Sequence, residues 1–89
     1  MLELTVDRDA EHILKECMRH GLIVKLDTWE KKHDARHVHL GYQGRPGVLE
    51  VTDLGGRSLL KVTRQRDGGW ATALALELAR PAKSPRKRR

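Results

Sequence analysis

The chain has no phenylalanine, and aromatic residues make up 3% of its 89 positions. Its core must therefore be built from Leu, Val, Ile and Ala, with Trp29 and Trp70 as the large members. Cysteine is nearly absent too. Cys17 stands alone, which excludes an intramolecular disulfide and suits a reducing cytoplasm. Long apolar runs are missing: none approaches the ~20 residues of a membrane span. Glu3 and Asp7 sit where a secretory leader would need basic and then apolar residues, so no leader is expected. Acidic residues are missing from the last ten positions, which hold Arg80, Lys83, Arg86, Lys87, Arg88 and Arg89. Taking those 6 from the 18 basic groups leaves 12, against 12 acidic groups in the rest of the chain. The body is thus neutral, and the formal charge of +6 belongs to a tail. A high isoelectric point of this origin does not by itself mark a nucleic-acid-binding domain.

A chain of this length buries only about 60–65% of the surface exposed when it is unfolded. It fits one domain over residues 1–79, followed by a disordered basic tail over 80–89 with two prolines and no large apolar residue. Dimerisation would enlarge so thin a core.

Leu2–Val6 alternates and suits an edge strand or a lead-in. Asp7 is placed to cap a helix, with Asp9 and Glu11 at the positive end of its dipole. Ala10, Ile13, Leu14, Cys17 and Met18 then fall on one helical stripe. Gly21 follows as a left-handed stop, with Leu22 reaching back to the helix. Leu22–Trp29 reads as a strand with Leu22, Val24 and Leu26 on one side. Three further strands are predicted over Arg36–Gln43, Val48–Leu54 and Ser58–Gln65, joined by turns at Gly44-Arg45-Pro46-Gly47 and Gly55-Gly56-Arg57. Val38, Leu40, Tyr42, Leu49, Val51, Leu60 and Val62 mark one face. His37, His39, Glu50, Thr52, Lys61 and Thr63 mark the other, as in an antiparallel sheet with one solvated side. Trp70–Ala79 fits a helix through Trp70, Ala73, Leu74 and Leu78, and also alternates as a strand would. Its four alanines favour helix, and Asp67 is placed to cap it. The fold expected is α+β: an N-terminal helix, an antiparallel meander of three to four strands, and a C-terminal helix.

Candidate chemistry concentrates between Glu30 and Gly69, where eight basic groups face five acids. Lys31, Lys32, Arg45, Arg57, Lys61 and Arg64 are the expected phosphate ligands, since Arg and Lys in turns beside a polar sheet face suit phosphate contacts. Tyr42 falls on the apolar side, so no aromatic platform for stacking bases is expected on the polar face. His37 and His39 share a side of one strand, roughly 6.5–7 Å apart by strand rise. His33 or Asp34 would have to supply a third metal ligand, and no further Cys or His cluster completes a site, so no metal is expected. The glycine pairs flank strands and lack a Lys-Ser/Thr follow-up, so no cofactor or small-molecule substrate is expected either.

The order of elements from His12 to Ala79 resembles that of small mRNA-interferase toxins: a short helix ending in glycine, a three-stranded sheet bearing a histidine, and a second helix. Their Gly-Ser-His motif is replaced by Ala35-Arg36-His37. The resemblance implies a ribonuclease with His37 or His39 as general acid–base beside Lys61 or an arginine. The leading expectation is instead a small cytoplasmic, non-enzymatic module contacting nucleic-acid phosphates. The alternative is a dimerising adaptor that buries Leu76 and Ala75 of the 70–78 segment.

Overall fold

A computed structural model describes residues 2–30 and 35–80. They form β1 (Leu2–Val6), α1 (Ala10–Arg19), β2 (Ile23–Glu30), β3 (Ala35–Gly41), β4 (Leu49–Asp53), β5 (Ser58–Val62), a 3-10 turn (Arg64–Arg66) and α2 (Ala71–Ala79). The tail over 81–89, Lys31, Lys32, His33, Asp34 and the side chains of Trp29, Glu30 and Arg64 lie outside the described residues.

The α+β class expected from the pattern is present. The sheet among the described residues has five strands rather than three to four, in the order β1-β5-β4-β3-β2, all neighbours antiparallel. The extra strand is the lead-in: Leu2, Leu4 and Val6 pair with Val62, Leu60 and Ser58, so a strand and not a helix opens the domain. The third strand of the meander stops at Val62, short of Gln65, because the 3-10 turn begins at Arg64.

Helix α1 starts two residues later than its first aspartate suggests. Asp9, not Asp7, caps it, its carboxylate accepting from the His12 amide at 2.9 Å. The far end is as expected. Gly21 has φ +93°, and the Gly21 and Leu22 amides donate to the Met18 and Cys17 carbonyls at 3.0 and 3.1 Å, a Schellman closure with Leu22 buried. Segment 70–79 is helix; the Asp67 carboxylate accepts from the Thr72 amide at 2.7 Å and holds its first turn.

Ile13, Leu14 and Cys17 of α1 and Ala71, Leu74, Ala75 and Leu78 of α2 join Val38, Leu40, Leu49, Val51, Leu60 and Val62 in one buried cluster. Both helices therefore cover the same sheet face. Burial and the neighbouring Glu16 carboxylate push the Cys17 thiol up to about 12. Four expected positions differ. Met18 is 52% exposed, because the cluster takes up only the Ala10–Cys17 side of α1. Ala73 faces out, and Ala75 is fully buried, so the dimer face proposed from sequence through Ala75 is already used inside the domain. In β2 an irregularity between Val24 and Leu26 breaks the alternation and sets Leu26 opposite His39 on the uncovered face.

Two loops lock together at one end. Trp70 is 8% exposed and donates its indole N–H to the Pro46 carbonyl at 2.8 Å. Gly47 has φ +113°, and a Cβ there would meet the indole nitrogen at 2.5 Å. Only glycine fits, for space as well as for backbone conformation.

Candidate binding surface

The site is the sheet face that neither helix covers. Strand register lays two rows of side chains across it. Glu3, Lys61, Glu50, His39 and Leu26 form one row, and Thr5, Leu59, Thr52, His37 and Thr28 form the next. Cross-strand neighbours sit about 4.5–5.5 Å apart at Cβ, so adjacent members of a row interact.

The centre of this face is not wet. Glu50 and Thr52 are 8% and 7% exposed, although alternation alone places both toward solvent. Their neighbours explain it: His37 and His39 on one side and Leu59 and Lys61 on the other stand over them. The His37 Nε2 lies 3.1 Å from Glu50 Oε1, and its Nδ1 lies 2.8 Å from the Thr52 hydroxyl. Both ring nitrogens of His37 are thus engaged. The His39 Nε2 lies 3.8 Å from the same Glu50 oxygen, and Arg66 Nη1 lies 4.0 Å from the other. Burial holds His39 below its ordinary value; Glu50 pulls the other way, while His37 and Arg66 reinforce the burial.

Beside this cluster lies a pocket of about 300 Å³. Ala35, Leu54 and Leu59 supply apolar walls, and Glu3, His37, Thr52 and Lys61 supply polar ones. Lys61 is the cross-strand partner of both Glu3 and Glu50, yet among the described residues no carboxylate oxygen comes within 4.0 Å of its ammonium.

Of the basic residues singled out from sequence, the described Arg45, Arg57 and Lys61 are not gathered into one patch. Lys61 lies on the uncovered face in β5, one strand in from the β1 edge. Arg45 is in the β3–β4 turn with its guanidinium 4.8 Å from the Tyr42 ring centroid. Arg57 is exposed in the β4–β5 turn, which a meander puts at the opposite end of the sheet. Arg64 belongs to the 3-10 turn. Arg36, on the helix side, is bound to Asp27 at 2.7 Å and Glu11 at 3.2 Å. Tyr42 keeps to the core side, 4.8 Å from Trp70 in an edge-on pair, as its parity predicts.

Sequence reasoning missed Glu50 as a partner of the histidine pair. The His-x-His and Glu-x-Thr pairs occupy the same parity on consecutive strands, and that shared parity is the signal. The loop from Tyr42 to Val48 is too long for its turn type to set the register, so the pairing of His39 with Glu50 could not be counted off. Compared with known protein families, curated proteins and solved structures, the chain matches none.

Proposed function

We propose that the chain is a small non-enzymatic binding module that takes nucleic acid on the uncovered face of its sheet. The observation that carries this reading is Lys61, a cation without a carboxylate oxygen within 4.0 Å among the described residues, on a pocket that it lines together with apolar Ala35, Leu54 and Leu59 and polar Glu3, His37 and Thr52. A phosphate suits the ammonium, and the flat face of a base suits Ala35, Leu54 and Leu59. Without an aromatic in the pocket, base contact adds little discrimination, so phosphate attraction dominates. The turn cations Arg45 and Arg57 flank the face at its two ends and would extend the track.

The ribonuclease reading draws less from the geometry. Both nitrogens of His37 already have partners, which leaves His39 as the histidine open to general acid–base work. The adaptor reading loses Ala75 to the core and keeps Leu76 as the exposed large apolar residue of that helix.

Anisotropy of a labelled single strand tests the proposal, with the full chain and with a chain shortened after Arg80. Affinity of the shortened chain is expected to fall with salt, and Lys61→Ala is expected to lower the slope of log affinity against log salt by about 1. Binding that disappears with residues 81–89, or a slope indifferent to Lys61, contradicts the proposal.

A further inference from the structure

We propose that His37, His39 and Glu50 form a binding site for one divalent transition-metal ion, with zinc as its natural occupant. This goes beyond nucleic-acid binding and does not depend on it.

Convergence is the first ground. One nitrogen from each imidazole approaches a single Glu50 oxygen, at 3.1 and 3.8 Å, and ligand atoms of all three residues lie within 4.8 Å of one another. Tetrahedral zinc with bonds of about 2.0–2.1 Å needs its ligands about 3.3 Å apart. The cluster is within a small side-chain adjustment of that spacing. His37 and His39 share the face of one strand, and Glu50 is the cross-strand partner of His39, so the backbone sets the approach.

Orientation is the second ground. A metal-binding imidazole ordinarily has its other nitrogen fixed by an outer hydrogen bond. His37 has this arrangement, with the Thr52 hydroxyl at 2.8 Å from Nδ1 and Nε2 turned into the cluster.

Charge is the third. Glu50 is 8% exposed, and among the described residues the nearest permanent cation to it is Arg66 at 4.0 Å. A carboxylate so removed from water requires compensation. A neutral imidazole supplies only a hydrogen bond, whereas a divalent ion would balance the charge and draw both histidines in. Two imidazoles and a carboxylate suit zinc, cobalt, nickel or copper rather than magnesium or calcium. Three protein ligands leave a coordination position for water.

Calorimetric titration of the full chain with zinc, repeated with magnesium, tests the site. The expected result is one zinc per chain and no measurable magnesium binding. His39→Ala and Glu50→Gln should each weaken zinc by at least about 100-fold, and Thr52→Val, which removes only the outer hydrogen bond, by about 10-fold. A His12→Ala/His20→Ala double variant should bind as the unaltered chain does, because both residues lie on α1 outside the cluster. Circular dichroism of each variant separates loss of a ligand from loss of the fold. If Glu50→Gln unfolds, the cobalt spectrum of the unaltered chain decides: intense visible bands of a low-coordinate ion support the site, and the weak bands of the hydrated ion overturn it. Zinc binding that survives both His39→Ala and Glu50→Gln, or no binding by the unaltered chain, also overturns it.

Discussion

Trp70→Ala is expected to cost about 3–5 kcal/mol of stability. A small domain has roughly 5–15 kcal/mol in total, and a thin, phenylalanine-free core places this one at the low end. The indole does three things at once. It fills the end of the core at 8% exposure, packs edge-on against Tyr42 at 4.8 Å, and satisfies the Pro46 carbonyl at 2.8 Å. Through that last bond it ties the β3–β4 loop to the start of α2. Trp70→Phe separates these roles. It keeps most of the buried area but leaves the carbonyl without its donor, a loss of about 1–3 kcal/mol. Urea denaturation of the three proteins measures both steps. A loss below about 1 kcal/mol for Trp70→Ala would be that of a surface residue and would contradict the packing described for the indole.

Ile13→Ala and Met18→Ala are expected to differ sharply, although both residues belong to the same apolar stripe of α1. Ile13 is fully buried against the sheet, and its truncation should cost about 2–5 kcal/mol. Met18 is 52% exposed, and its truncation should stay within about 0.5 kcal/mol. The contrast measures how far α1 overlaps the sheet. Equal losses at the two positions would mean that the helix lies deeper and covers Met18 as well.

What the chain made readable follows from which signals are local. The Gly21 stop of α1 and the parity of Val38, Leu40, Leu49, Val51, Leu60 and Val62 rest on neighbours a few residues apart, and the structure has them all. The fifth strand was ambiguous because Leu2–Val6 finds its partner in Ser58–Val62, more than fifty residues away, and nothing local names that partner. Leu26 changed sides because an irregularity at a strand edge resets the alternation without a glycine or proline to announce it. Glu50 and Thr52 keep their expected side but not their expected exposure, because alternation gives the side a residue faces, not what its cross-strand neighbours lay over it. The candidate surface was readable as a face. Its centre, where His37, His39, Glu50 and Thr52 meet, depends on register across a seven-residue loop.

The helices cover one side of the sheet, and the central claim is that ligand binds the other. Amide chemical-shift mapping during titration of a short single strand at low salt tests this most directly. The expected shifts cluster at His37, His39, Thr52, Leu59 and Lys61, with α1 and α2 unmoved. Shifts confined to the helices or to residues 81–89, with those five amides unchanged, would contradict it.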